Sequence, residues 1–375
     1  MPRFLHTADW QIGRNYSRFA PEDAAFLSEA RLAAVERIAM LAAQRRVDAV
    51  LVAGDVFDAQ TVSDRTVRRL FNALAGFAGP WLMIPGNHDA ALAAGVWTRA
   101  RRLGCMPASV HLMERPGLAT FADLGFAVLP APLTQRQTHS DLTCWFDEAE
   151  SPAGLLRVGL AHGSVGGILP GSADSPNPIA PERARTARLD YLALGDWHGT
   201  RQIDARTWYS GTPEQDRFRG TDSGNVLLVE IDHPGAEPVV ETVPVGAFRW
   251  QEWERSMRIP TDVDELERDL GPLAGGDVLA IRLTGQVGLQ EQLRIRSLIG
   301  VAQGRTRALD ADMSRLRLSP TDADVAVLAA DGYVGEVLEA LRDAAARHSP
   351  GEEEATAAQA DALNILAGLL LERRA

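Results

Sequence analysis

Five short apolar runs in this chain each stop at a polar cluster, and that arrangement limits the fold more than any other feature. The clusters are His6-Thr7-Ala8-Asp9-Trp10-Gln11, Gly54-Asp55-Val56-Phe57-Asp58, Pro85-Gly86-Asn87-His88-Asp89, Ala161-His162-Gly163 and Gly195-Asp196-Trp197-His198. Apolar runs of this length, separated by helix-length amphipathic stretches, are the pattern of stacked α and β layers. Ligands in layered α/β proteins gather beyond the carboxyl ends of strands, so the five clusters are expected to meet at one site.

The periodicity predicts strands over Arg3–His6, Ala49–Ala53, Trp81–Ile84, Phe126–Leu129, Leu156–Ala161, Tyr191–Leu194, Thr207–Tyr209, Asn225–Ile231 and Val239–Val243. It predicts helices over Pro21–Arg46, opened by Pro-Glu-Asp, and over Val62–Phe77, closed near Gly79-Pro80. Gly163–Pro181 is rich in Gly, Ser and Pro and reads as a functional loop. Past Ile259 the pattern changes: helices are expected at Val263–Leu270 and Leu289–Val301, with strands at Val278–Leu283 and near Arg307–Leu309 and Arg315–Leu318. Three parts follow: a catalytic domain over 1–257, a small α/β domain over 258–345, and a linker with a C-terminal helix over 346–375. That last helix, Ala357–Leu371, carries an apolar face that either seeks a partner or packs on its own chain.

At 375 residues the chain is long enough for more than one domain. No apolar run approaches the roughly 18–20 residues that span a bilayer, and the N-terminus lacks a signal-peptide pattern. A cytoplasmic protein is expected, and the two cysteines, Cys105 and Cys144, suit a reducing compartment. The formal net charge of −12 excludes a wide basic surface for nucleic acid, so affinity for DNA must be local or supplied by a partner. Arg65, Arg68 and Arg69, then Arg99, Arg101 and Arg102, then Arg217 and Arg219 are local groups that could touch phosphates or simply face solvent.

Each cluster alone has an ordinary structural explanation. Asp58 could cap the next helix, and a histidine after a strand, such as His162, could be a hydrogen-bonded core residue. Gly-Asn-His-Asp is more telling, because glycine permits a tight turn that presents three polar side chains together. All five clusters in this order at strand ends resemble the calcineurin-like metallophosphoesterases, and among them the SbcD-type DNA-repair nucleases. Residues 3–245 carry the resemblance, including Tyr209-Ser210-Gly211-Thr212-Pro213, and the later module looks like that family's capping domain.

The resemblance implies a four-layer αββα metallophosphoesterase sandwich with a small α/β capping module and a C-terminal helix. It implies two divalent metals bridged by Asp55, one also held by Asp9, Gln11 and His198, the other by Asn87, His162 and Asp196. His88 would protonate the leaving oxygen or steady the phosphate, with Asp89 orienting it. Two positions depart from the family: position 11 is normally His and is Gln11 here, and position 196 is normally His and is Asp196 here. The site becomes richer in oxygen, which favours Mn²⁺, or Mg²⁺, over Zn²⁺. The departures also leave a single-metal or inactive scaffold open. The implied function is a DNA exonuclease or endonuclease subunit acting on single- or double-stranded ends with an SMC-like ABC ATPase, in an assembly that could include a homodimer and involves no membrane. A stand-alone enzyme on a small phosphodiester or phosphomonoester is the alternative, which the acidic balance favours, and a binding module with little activity is the third.

Overall fold

In the computed structural model, residues 2–168, 176–218, 222–318, 333–346, 362 and 365 are described. In chain order the first unit contains β1 (Arg3–Thr7), α1 (Pro21–Arg45), β2 (Ala49–Val52), α2 (Asp64–Ala73), β3 (Trp81–Met83), α3 (Val96–Arg102), β4 (Val110–Leu112), β5 (Ala119–Phe121) and β6 (Phe126–Ala131). It continues with β7 (Leu156–His162), β8 (Ser164–Val165), β9 (Pro178–Ile179), α4 (Arg183–Thr186), β10 (Tyr191–Gly195), β11 (Arg201–Gln202), β12 (Thr207–Tyr209), β13 (Asn225–Glu230) and β14 (Val239–Pro244).

Two six-stranded sheets result, in the orders β14-β13-β1-β2-β3-β4 and β11-β12-β10-β7-β6-β5. The central strands β1 to β4 run parallel, as do β6, β7, β10 and β12, so their carboxyl ends share an edge within each sheet. Because side chains alternate along a strand, each run feeds two cores. Leu5, Val50, Val52, Trp81 and Met83 point outward onto α1, α2 and α3. Phe4, Ala49, Leu51 and Leu82 point inward and meet Phe126, Val128, Val158 and Tyr191 of the other sheet. Burial of one such aliphatic or aromatic side chain stabilises by about 1.5–3 kcal/mol.

Helix α1 places Leu27, Arg31, Ala34, Val35, Ile38 and Ala42 on its buried face at helical spacing. Pro21 opens it, Glu22 and Asp23 lie in its first turn, where the helix dipole favours anions, and Arg46 closes it in the left-handed conformation. The expected helix over Val62–Phe77 is α2 followed by a 3-10 turn at Leu74–Gly76, with Ser63, and not Asp58, capping its start through a bond from Thr66 N. The outer face of the second sheet is covered by Phe146, Ala184, Ala187, Leu189 and their neighbours, contributed by short turns and the four-residue α4. This outer layer is therefore thinner than the one formed by α1 and α2. Within the expected Gly163–Pro181 loop, β8 and β9 pair in parallel, while residues 169–175 lie outside the described residues.

The second unit contains β15 (Arg249–Met257), α5 (Pro260–Leu270), β16 (Asp277–Val287), α6 (Leu289–Gln303), β17 (Ala308–Leu318) and α7 (Tyr333–Ala346). Contacts divide the chain at Arg249 and Trp250, ahead of the expected boundary at 257, because β15 forms the three-stranded sheet β15-β16-β17. Val263, Leu266 and Leu270 of α5 and Ile295 and Ile299 of α6 pack with Leu279, Ile281 and Leu283 of β16. The two short strands expected near Arg307–Leu309 and Arg315–Leu318 are one strand, β17. The polar residues Asp310, Asp312 and Ser314 interrupt its apolar signal but not its pairing, which shifts register between Arg282 and Thr284. The expected helix Ala357–Leu371 lies outside the described residues, apart from Ala362 and Ile365. No described helix is long and apolar enough to cross a membrane, and Cys105 and Cys144 are unpaired.

Candidate metal centre

The loops after β1 and β2 are stitched together before any side chain is considered. Asp9 N donates to Gly54 O at 3.1 Å, Gln11 N to Asp55 O at 2.9 Å and Ile12 N to Val56 O at 2.9 Å. Asp9, Gln11, Asp55 and Asp196 have φ of 54°, 44°, 53° and 100°, in the left-handed region that non-glycine residues enter only under constraint. Four strained positions at strand ends mark a site where geometry is held for function. Gly86 is required for a different reason: a Cβ there would run into the Asp55 carboxylate and backbone nitrogen.

Asp89 and Arg31 supply the constraint. The Asp89 carboxylate accepts from Val56 N at 2.9 Å, Phe57 N at 3.2 Å and Gly86 N at 2.7 Å, which ties the β2 and β3 loops together. Asp89 therefore does not orient His88, as the sequence suggested; the carbonyl of Asp58 does, 2.7 Å from His88 Nδ1. The sequence could not show this, because a carboxylate beside a histidine in the chain need not face it in space. Arg31, fully buried in α1, donates to Trp10 O at 2.6 Å, Asp9 O at 2.8 Å, Thr212 Oγ1 at 2.8 Å and Glu214 O at 3.2 Å. It braces the first loop against the Ser210–Glu214 turn. Its only sequence signal was an arginine on the apolar face of a helix.

Ligand atoms of Asp9, Asp55 and His162 all lie within 4.8 Å of one another. His162 Nδ1 donates to Ala53 O at 2.8 Å, which points Nε2 at the cluster, where loss of its proton would free a lone pair for a metal. Around that Nε2 stand Asn87 Oδ1 at 3.1 Å, Asp55 Oδ1 at 3.6 Å and Asp196 Oδ1 at 3.8 Å. Asp196 N also lies 3.2 and 3.3 Å from the two Asp9 carboxylate oxygens. His88 Nε2 lies 3.9 Å from Asp55 Oδ2, and the backbone N–H of His88 donates to Asp55 Oδ1 at 2.9 Å. The structure thus brings together Asp9, Asp55, Asn87, His88, His162 and Asp196.

Gln11 and His198 form a second group. Gln11 Nε2 and His198 Nε2 are 3.3 Å apart, His198 Nδ1 is 3.0 Å from Asp216 Oδ2, and Arg14 Nη1 donates to Gln11 Oε1. Arg14 and Asp216 are site residues that no motif marked.

Charge shows what the centre is suited to hold. Burial pushes Asp9 up to about 6, against the pull of His198 and His162. Burial, with Asp55 beside it, pushes Asp89 up to about 7, and Asp196 is raised mainly by burial. Burial opposes a proton on His162, yet Asp55, Asp9 and Asp196 together hold its pKa at about 9. A buried cluster with this much uncompensated negative charge is stabilised by a cation. Carboxylates, an amide oxygen and one imidazole nitrogen are a donor set for a divalent metal of the harder kind.

Residues 2–199 match the family model described as calcineurin-like phosphoesterase. Three curated relatives are similar in sequence. The SbcD component of the nuclease SbcCD from Rhodobacter capsulatus is 44% identical over 97 residues, 24% of this chain and 22% of that one. The "DNA double-strand break repair protein Mre11" of Aeropyrum pernix is 29% identical over 267 residues, 65% of this chain and 61% of that one. The SbcD component of the nuclease SbcCD from Bacillus subtilis is 24% identical over 335 residues, 78% of this chain and 82% of that one. The matches span less than two thirds of the length of the first two. Since the family model takes in the strands and loops that carry all of the clustered side chains, the chain belongs to the calcineurin-like phosphoesterase family.

Proposed function

We propose that this chain is a metal-dependent phosphodiesterase, the nuclease subunit of a DNA-repair assembly, acting on DNA ends with an SMC-like ABC ATPase in the cytoplasm. The observation that carries the reading is the buried Asp9–Asp55–His162 cluster with His88 above it, half-open to solvent. A divalent ion bound there lowers the pKa of water and polarises a phosphate. The oxygen-rich donor set favours Mn²⁺, with Mg²⁺ acceptable. The relatives that carry the words nuclease and double-strand break repair support the substrate class.

The residues of the chain divide the remaining work. Asp9, Asp55, Asn87, His162 and Asp196 would hold the ion and orient the phosphate. The Asp58 carbonyl fixes the His88 ring through Nδ1 and so directs Nε2, from which a proton would pass to the leaving oxygen. Asp89 acts from behind, by holding the Asp55 and Asn87 loops in place. The ATPase is invoked because the chain itself offers little cationic surface: its net charge is −12, and Arg69, Arg99 and Arg101 are paired with Glu29, Asp64 and Glu114. The same acidity favours the second reading, a stand-alone enzyme on a small phosphodiester.

Labelled single- and double-stranded oligonucleotides, incubated with Mn²⁺ and with or without the co-expressed ATPase, test the proposal. Mn²⁺-dependent shortening that the ATPase increases is expected. Rapid turnover of cyclic nucleotides with none of DNA would replace this reading with the second.

A further inference from the structure

Resting on that reading of the centre as a metal-dependent phosphodiesterase site, we propose that it takes one divalent ion, and that the guanidinium of Arg14 stands where a second cation would be. Gln11 has a single acceptor atom, Oε1, and Arg14 Nη1 donates to it. That contact turns the amide nitrogen toward His198 Nε2, 3.3 Å away. An amide NH₂ can only donate, so His198 Nε2 must accept, and the lone pair that would bind a metal is spent. With Nε2 accepting, the neutral ring carries its proton on Nδ1, which lies 3.0 Å from Asp216 Oδ2, an atom able to accept it. Asp216 Oδ2 is in turn 3.3 Å from Arg14 Nη1, which closes a ring of Arg14, Gln11, His198 and Asp216.

Each contact in this ring joins a donor to an acceptor, and within it one guanidinium faces one buried carboxylate. Arg217 lies outside the ring: its Nε donates to Asp216 Oδ1 at 3.1 Å, and its Nη2, 2.8 Å from His198 Nδ1, competes with Asp216 Oδ2 for that nitrogen. A dication placed between Gln11 and His198 would have to break two of these bonds and sit beside a fixed positive charge in a poorly solvated position. Asp55, Asn87 and Asp196, by contrast, turn an oxygen toward His162 Nε2, at 3.6, 3.1 and 3.8 Å, and no guanidinium is among their described partners. The Gln11 substitution and the arginine three residues later therefore act together: histidine at position 11 would offer a nitrogen to metal, whereas glutamine offers an oxygen to Arg14.

Arg14 also has a use in the reaction. Its side chain is 26% exposed, and its Nη1 is 3.6 Å from Asp58, the residue whose carbonyl holds His88. A guanidinium carries five N–H donors in a fixed fork, and those not used by the ring can take a non-bridging phosphate oxygen.

Mn²⁺ titration of the full chain by calorimetry, with electron paramagnetic resonance to detect paired ions, tests the proposal on wild type, Arg14→Gln, Gln11→His and the double variant Gln11→His with Arg14→Ala. One tightly bound ion and no spin-coupled signal are expected for wild type, and a second, coupled ion for the double variant. Arg14→Gln should keep the tight ion while lowering kcat/KM on bis-p-nitrophenyl phosphate by about a hundredfold. Two coupled ions in wild type, or a double variant that still takes only one, would overturn the proposal and leave the phosphodiesterase reading intact. A wild-type protein that binds no Mn²⁺ would overturn both.

Discussion

Lowering the pH should loosen the seam between the two sheets of the first unit through a single residue, His6. His6 is fully buried on β1, where its Nδ1 accepts from Tyr191 O–H at 2.9 Å and its Nε2–H donates to Leu194 O at 3.1 Å. Burial lowers its pKa from 6.5 to about 3, opposed only in part by the bond to Leu194. In the unfolded chain the ring takes a proton near 6.5, so between that value and about 3 the unfolded state binds more protons than the folded one. Stability is therefore fully present above 6.5 and is lost as pH falls toward 3. From those two values the loss at about pH 5 is ~2 kcal/mol. Asp9, Asp89 and Asp196, whose values are raised, act in the opposite direction, so total stability does not isolate the effect. The difference between wild type and His6→Gln does, because glutamine does not titrate. Native-state hydrogen exchange of β1 and β10 amides, corrected for intrinsic rates, reads this unit without the other. The advantage of wild type over His6→Gln should shrink by about 2 kcal/mol between about pH 7.5 and pH 5. A constant difference across that range would refute the role given to His6.

Three further tests bear on the centre. Gly86→Ala should weaken Mn²⁺ binding by about 10–100-fold in a calorimetric titration while the far-ultraviolet circular dichroism stays unchanged, because the new methyl displaces Asp55. Asp89→Ala leaves three buried backbone N–H groups without an acceptor and should cost at least ~3 kcal/mol in urea unfolding. His88→Ala should lower kcat on a model diester by about 10²–10⁴-fold with Mn²⁺ stoichiometry unchanged, and loss of the ion together with activity would instead make His88 a ligand.

The strands that carry the centre were legible because each is a continuous apolar run buried on both faces, as in Ala49–Val52 and Tyr191–Gly195. Their polar ends stood out for the same reason. Elements with a weak apolar signal were missed: β15 is an edge strand that carries Arg249, Glu252, Glu254 and Arg255, and α3 is seven residues long with three arginines. Within the centre, Asp9, Asp55 and His162 could be named because each stands at or just past the end of a strand. Arg14, Asp216, Arg31 and the Asp58 carbonyl could not, because they act through the fold, from a loop, a turn, a helix face and a main-chain atom. Asp89 was noticed but given the wrong contact, since neighbours in sequence at a tight turn point in different directions.

Hydrolysis of bis-p-nitrophenyl phosphate by the purified chain reports whether the clustered carboxylates and His162 form a metal centre that cleaves phosphodiesters. Turnover that requires Mn²⁺, stops with a chelator, returns when the metal is restored and is lost in Asp55→Asn is expected. Turnover that survives chelation or the loss of Asp55, or no turnover at any Mn²⁺ concentration, would contradict it.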